Sequence, residues 1–267
     1  MEEGSSKLTG EPGSSQVSDY VRLERRDGVA IVTLDHPADR NALSLDMTRA
    51  LTEVVKGVTD DGDVGALIVA AAGPVFSAGG SVDDLFEPKA PLVDMYGGVV
   101  AVARCGLPTI AAVNGPALGA GMNLALACDL IICSPLARFE SRFLSIGMHP
   151  GGGHLWHLRE RIGRQGAAAL SLFGESLDGE EAARRGLAWR CVPEGELSAV
   201  VMDYASRAAK LDRPLAQRVR TTLDDSAGVH RAPDAIELEL PAQQWSMDRP
   251  EFLAALGRLR ARLGRST

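Results

Sequence analysis

Apolar runs and amphipathic segments alternate along the first half of the chain. Continuous apolar runs at residues 29–34, 66–71, 109–113 and 130–133 predict buried strands. Between the first two runs, apolar residues repeat at helical spacing from Met47 to Val58, behind Ser44, a good helix N-cap. Helix-like segments follow at 91–104 and 120–128. This alternation predicts a layered α/β domain with parallel strands.

The pattern changes after about residue 154, where strands nearly vanish. Helical segments are predicted near 164–173 and 178–185, with one short apolar run at 187–192. From about 194 to 262 the chain is predicted to be helical, with Pro214, Pro233 and Pro250 in the first turns of separate helices. We therefore expect a disordered tail over 1–18, an α/β core over 19–195, and a helical region over 196–267 that packs on the core or on a neighbouring subunit.

Composition narrows the class of protein. The 267 residues are 45% hydrophobic and carry a formal charge of −7 without a lysine- or arginine-rich block, which argues against nucleic-acid binding. No stretch has the uniform apolarity of a membrane span, and the polar N-terminus is unlike a signal peptide. Four cysteines without metal-type spacing indicate reduced thiols in a cytoplasmic protein and no metal site.

Two glycine-rich turns are the most informative motifs. Residues 76–80 read FSAGG and residues 115–121 read GPALGAG, and each turn follows a predicted strand. Glycine lets the backbone approach a ligand and turn its N–H groups outward. Two such turns that converge would form an oxyanion hole. Taken singly, either could be a tight turn only, and the second does not follow the G-x-G-x-x-G dinucleotide spacing.

Five segments in order and in register carry a family resemblance, at residues 40–43, 76–80, 113–121, 128–130 and 147–153. Over roughly residues 20 to 262 the chain resembles the crotonase superfamily, the enoyl-CoA hydratases and isomerases. The resemblance implies a repeated ββα spiral with a C-terminal helical region. It also implies an acyl-CoA substrate, no further cofactor, and a homotrimer or dimer of trimers.

By the same resemblance, the oxyanion-hole N–H groups belong to Gly80 and Ala120. The residues expected to contact the CoA thioester are Arg40, Ala42, Leu43, Ala78, Gly80, Val82 and Phe143. Arg258 and Arg260 are further candidates, because a guanidinium pairs well with phosphate.

One departure from the family pattern concerns the acid and base. A hydratase of this family uses two glutamates, which fall in register at Asn123 and Phe143 here. Asn123 can orient a water or a carbonyl but accepts no proton, and Phe143 does neither, so ordinary hydration lacks its acid and base. His149, just before Pro150, is the first candidate for a replacement base.

Other groups stay open as replacements for the missing glutamates. They are His154, Glu140, Glu87 and Asp94, while Gly151 stands where some relatives carry a catalytic aspartate. For Asp129, at a helix-to-strand joint, we expect a structural role.

Two functions are compatible with these residues. The first is an enzyme that stabilises a thioester enolate in the oxyanion hole, for isomerisation, decarboxylation or bond cleavage rather than ordinary hydration. The second is a non-catalytic acyl-CoA binding protein, a carrier or partner in lipid and fatty acid metabolism.

Overall fold

Ten strands form two sheets in the computed structural model, which describes residues 16–263. The strands are β1 (Gln16–Val17), β2 (Val21–Arg26), β3 (Val29–Leu34), β4 (Ala66–Ala71), β5 (Thr109–Val113), β6 (Pro116–Leu118), β7 (Leu130–Cys133), β8 (Arg138–Glu140), β9 (Leu177–Asp178) and β10 (Arg190–Cys191). The larger sheet has the order β1-β2-β3-β4-β5-β7-β10, and the smaller one β6-β8-β9. From β3 to β10 the larger sheet is parallel, while β1-β2-β3 is antiparallel. The predicted α/β fold with parallel strands is confirmed.

Ten helices lie within the same described residues. They are α1 (Leu45–Asp60), α2 (Val82–Phe86), α3 (Gly97–Arg104), α4 (Ala120–Leu126), α5 (His154–Leu172), α6 (Gly179–Arg184), α7 (Leu197–Ala209), α8 (Arg213–Ser226), α9 (Ala232–Met247) and α10 (Pro250–Leu263). Short 3-10 turns lie at Pro37–Asp39, Asp94–Tyr96, Leu144–Ile146 and Glu194–Glu196.

Apolar side chains are buried on both faces of the larger sheet. On one face, α1 packs Met47, Leu51 and Val55 into the main core. On the other face, Val201 and Ala205 of α7 belong to a second cluster that includes residues of β3, β4, β5 and β7. Each fully buried leucine or valine contributes about 1.5–3 kcal/mol, so two-sided burial explains why these strands are continuous apolar runs.

The predicted helix at 91–104 is shorter in the structure. It begins at Gly97, after the 3-10 turn at Asp94–Tyr96. A Cβ atom at Gly98 would lie 2.8 Å from Leu51 Cδ2, so this glycine lets α3 approach α1 closely. The start of α3 is therefore fixed by packing against another helix, which local sequence does not show.

The chain divides into two compact units between Lys210 and Leu211. The sequence-based boundary lay at 195/196, but α7 packs on the sheet and belongs to the first unit. The second unit contains α8, α9 and α10, and within it the Asp212 carboxylate caps α8 and pairs with Arg249. The predicted tail over 1–18 extends too far, since Gln16–Val17 form β1. Residues 1–15 lie outside the described residues.

Candidate functional site

The two glycine turns lie against each other. Leu118 N donates to Ser77 O at 3.0 Å. A Cβ atom at Gly79 would lie 2.8 Å from Leu118 O and 3.7 Å from Ala120 N, and one at Gly121 would lie 2.6 Å from Ser77 O. Gly79 also has φ +103°, which side chains other than glycine rarely allow. Glycine at these two positions is what permits the contact between the turns.

Gly80 and Ala120 each carry a backbone N–H without a protein acceptor among the described residues. Neighbouring groups are used, because Leu43 N donates to Gly79 O at 2.7 Å and Ser81 N donates to Leu43 O at 3.4 Å. Ala120 is the first residue of α4, so its N–H has no acceptor within the helix. Two such donors in adjoining turns can receive a ligand oxygen.

A buried asparagine fixes the segment that precedes α1. Asn41 is fully buried at φ +52°, and its Nδ2 donates to Ala72 O at 2.9 Å and Val75 O at 2.8 Å. The next turn is attached to this segment, because Ala78 N donates to Arg40 O at 2.9 Å.

This attachment brings most of the predicted CoA contacts into two adjoining segments, 40–43 and 78–80. Leu43 also forms a parallel bridge with Gly80. Val82, the first residue of α2, is 65% exposed and follows directly. Arg40 is exposed, and Ala42 and Ala78 are half-buried.

The two positions predicted to replace glutamates meet at one histidine. Asn123, on α4, places Oδ1 2.7 Å from Nδ1 of His154. The ring of Phe143 packs edge-on against the His154 ring at a centroid distance of 5.0 Å. The other ring nitrogen, Nε2, lies 2.9 Å from Ser141 Oγ. An imidazole thus stands between the two positions, with no carboxylate among these contacts.

Burial holds His154 in its neutral form. It lowers the pKa of His154 to about 4, with a smaller contribution from nearby His157. His154 was only a secondary candidate in the sequence, and Ser141 was none. Their contacts join residues 13 and 31 positions apart, so periodicity carried no signal for them.

Tyr96 covers the loop that leads into α5. A Cβ atom at Gly151 would lie 2.6 Å from Tyr96 Oη, and one at Gly152 would lie 2.4 Å from Tyr96 Cε1 and 2.9 Å from Asn123 Nδ2. Burial raises the pKa of this tyrosine. Two glycines are therefore required where Tyr96 and Asn123 approach the same loop, a role that the sequence did not reveal.

Among the described residues, no hydrogen bond joins His149 to the glycine turns or to His154, and its catalytic role stays a prediction. Its Nδ1 lies 2.8 Å from Pro150 O. The side chain lines a separate cavity of about 580 Å³, together with Leu144, Met148 and Leu155. None of the glycine-turn residues lines that cavity.

The acidic candidates are paired with arginines or exposed to solvent. Burial would raise the pKa of Glu140, but hydrogen bonds and charges from Arg142 and Arg138 outweigh it and lower that pKa. Glu87 and Asp94 are exposed. Within residues 16–263, no group of three His, Cys, Asp or Glu side chains is arranged to hold a metal ion, and no helix is long and apolar enough to cross a membrane.

Known proteins are similar to this chain in sequence and in fold. The model of the enoyl-CoA hydratase/isomerase family matches residues 24–250. A probable enoyl-CoA hydratase of Mycobacterium tuberculosis, EchA14, is 39% identical over 248 residues, covering 89% of this chain and 96% of that protein. A 4-chlorobenzoyl coenzyme A dehalogenase of an Arthrobacter species is 28% identical, with 95% of each chain covered. The crystal structure of a putative enoyl-CoA hydratase/isomerase from Mycobacterium abscessus has a TM-score of 0.82 at 28% identity, covering 91% of this chain and 96% of that one. The chain belongs to the enoyl-CoA hydratase/isomerase family, within the crotonase superfamily.

Proposed function

We propose that this protein is an acyl-CoA enzyme that holds the thioester oxygen between the N–H groups of Gly80 and Ala120. The observation that carries the proposal is the contact between the two glycine turns, with neither N–H group donating to an acceptor within residues 16–263. Negative charge that develops on a thioester oxygen, as an enolate or a tetrahedral oxyanion, would be stabilised there by donors already in place. Segments 40–43 and 78–82 would hold the CoA portion, with Arg40 exposed and available to a phosphate.

The reaction would differ from ordinary hydration. Asn123 and Phe143 carry no exchangeable carboxylic proton, and the imidazole between them is neutral. Isomerisation, decarboxylation and thioester or carbon–carbon cleavage all develop charge on the same oxygen. Family membership supports a lyase or isomerase. The four cysteines are present as thiols, which fits a cytoplasmic location.

The backbone N–H of Ala120 can be removed by a single substitution that the fold should tolerate. Ala120→Pro deletes the N–H at the first position of α4, where proline is well tolerated. Ala120→Gly keeps the N–H and serves as the matched control. If Ala120 is an oxyanion donor, the proline variant loses about 10²–10³ in kcat and the glycine variant stays near wild type.

The assay follows gain of the conjugated thioester absorbance from a 3-enoyl-CoA, which reports isomerisation. Loss of that absorbance from crotonyl-CoA and a longer 2-enoyl-CoA reports hydration and is expected to be absent. Binding is measured in parallel by calorimetry. Turnover that depends on the Ala120 N–H supports the enzyme. Binding without any turnover of acyl-CoA substrates favours the alternative, a non-catalytic acyl-CoA binder. The observation in favour of that alternative is that the side chains of Asn123 and Phe143 are buried and uncharged. Absence of binding contradicts both.

A further inference from the structure

Three buried polar side chains form a hydrogen-bonded row across separate elements. Ser141, just after β8, contacts His154 at the start of α5, and His154 contacts Asn123 on α4, at 2.9 and 2.7 Å. Their exposed fractions are 3%, 1% and 0%. We call these three residues the serine–histidine–asparagine row.

The proton positions in this row follow from the partners. Asn123 Nδ2 lies 2.9 Å from Gly151 O, which only accepts hydrogen bonds, so the amide oxygen must face His154. His154 Nδ1 then carries the hydrogen and donates to that oxygen. Because burial keeps the ring neutral, Nε2 has a free lone pair that accepts from the Ser141 hydroxyl.

With both ring nitrogens engaged, the basicity of His154 reaches a substrate only through Ser141 Oγ. A hydroxyl on Nε2 and an oriented acceptor on Nδ1–H is the order of groups in acyl-transfer triads, including those with asparagine as the third member. This order, in which the Ser141 hydroxyl donates to Nε2 and Nδ1–H donates to Asn123, suits nucleophilic attack by the Ser141 oxygen.

Ser141 lies beside the turn that precedes Ala120. Gly119 N donates to Glu140 O at 2.9 Å, and a Cβ atom at Gly119 would lie 3.5 Å from Ser141 O. Phe143 N donates to Ser141 O at 2.8 Å across Arg142, which has φ +56°. This is the rarer, strained form of γ-turn, and strain of this kind concentrates at functional sites.

We infer that Ser141 is the nucleophile for one of the reactions of the proposed function, thioester cleavage, which proceeds as hydrolysis of acyl-CoA through an acyl-Ser141 ester. The inference rests on the proposed function for placing the thioester oxygen at Gly80 and Ala120. Ser141 Oγ forms a bond to the carbonyl carbon while its proton passes to His154 Nε2. The C–S bond then breaks, and that proton leaves on the sulfur of CoA.

Solvent water completes the cycle. It attacks the ester carbonyl as its proton moves to Nε2, and the C–Oγ bond breaks as Ser141 recovers that proton. The products are free CoA, a carboxylate and one released proton. Because the nucleophile is a hydroxyl beside a neutral imidazole and a neutral amide, no carboxylate at position 123 or 143 is needed.

The test measures CoA release and the covalent intermediate separately. Acetyl-, hexanoyl- and decanoyl-CoA are each incubated with the full chain. Free CoA is followed with a thiol-specific reagent, and the mass of the rapidly quenched protein is measured by mass spectrometry. Wild type is expected to release CoA and to gain one acyl mass, located on Ser141 by peptide mapping. Ser141→Ala is expected to lose at least about 100-fold in release with acyl-CoA binding unchanged.

The matched control is Ser145→Ala, an exposed serine in the same loop that donates to Arg142 O. It should match wild type in release and adduct. Release that is unchanged in Ser141→Ala overturns the inference, and so does wild type that binds acyl-CoA without release or adduct. The covalent adduct is measured on the wild-type protein. The test therefore still decides if Ser141→Ala fails to fold. Binding with Ala120-dependent isomerisation of a 3-enoyl-CoA but no adduct overturns this inference alone, whereas absence of binding also removes the proposed function.

Discussion

The imidazole of His154 is buried as a neutral ring, which links the stability of the protein to pH. Its folded-state pKa of about 4 lies below the ordinary value of 6.5, so the unfolded chain takes up a proton first as the pH falls. The groups that face it are Asn123, Ser141, Phe143 and His157. The contribution of His154 to the free energy of unfolding is therefore present above its unfolded pKa of 6.5 and is lost as the pH falls towards 4.

Between pH 7.5 and pH 5, we expect the unfolding free energy of His154→Gln to fall by about 2 kcal/mol less than that of wild type. The reason is that wild type loses about 1.4 kcal/mol for each pH unit below the unfolded pKa of 6.5. Urea unfolding at the two pH values measures the difference. His230→Gln, at an exposed position, is the control and should follow wild type. Equal acid losses in wild type and His154→Gln would mean that His154 is not held neutral by burial.

At this scale the sequence predicted backbone-determined features better than side-chain contacts. Asp129 was expected to be structural, and its Oδ2 accepts from Thr109 N at 2.8 Å and Thr109 Oγ1 at 2.9 Å. The two glycine turns were expected to converge, and they do. Ser141 could not be found, because its importance depends on where α5 begins relative to β8. That arrangement comes from tertiary packing.

Element boundaries were predictable where the signal is local. Ser44 Oγ accepts from Met47 N at 3.1 Å, so the capping residue fixes the start of α1 as predicted. The four long apolar strands coincide with their predicted ranges. The prediction near 164–173 captured only the second half of α5, because the first half begins at the buried His154, after three glycines.

A break at Gly163 lets both halves of α5 bury a face. Leu158 and Ala167 are both buried, yet nine residues apart on an unbroken helix they would point in opposite directions, at about 100° per residue. Gly163 interrupts the helix with φ 69° and ψ 174°, a region that essentially only glycine occupies. The change of direction there returns the second half to the core.

Two glycines with equal space around them should respond oppositely to alanine. Neither Gly163 nor Gly57 has an atom within 4 Å of an added Cβ. Gly163→Ala should destabilise the protein by about 1–3 kcal/mol because of its backbone conformation. Gly57→Ala, in the exposed part of α1, should stabilise it by about 0.5–1 kcal/mol. Chemical denaturation measures both, and a neutral Gly163→Ala would show that α5 does not need the break.

For the whole molecule, the second unit carries an exposed apolar stripe on α8. Leu215, Val219 and Leu223 repeat every four residues along α8 and are 39%, 52% and 66% exposed. Exposed apolar stripes of this kind mark protein–protein contact surfaces. The resemblance to the crotonase superfamily implies a homotrimer or dimer of trimers, and on that ground we predict that a second copy of the chain covers this stripe.

We therefore expect a homotrimer of about 85 kDa or a dimer of trimers of about 170 kDa, three or six times the chain mass of 28.2 kDa, in size-exclusion chromatography with light scattering. The double change Val219→Glu and Leu223→Glu places two charges on the stripe and should shift the protein to monomers. Thr221→Glu adds a charge on the opposite side of α8, because two residues turn the helix by about 200°, and should leave the trimer intact. A monomeric wild type would contradict the assembly, and a trimer that withstands the double change would place the subunit contact on another surface.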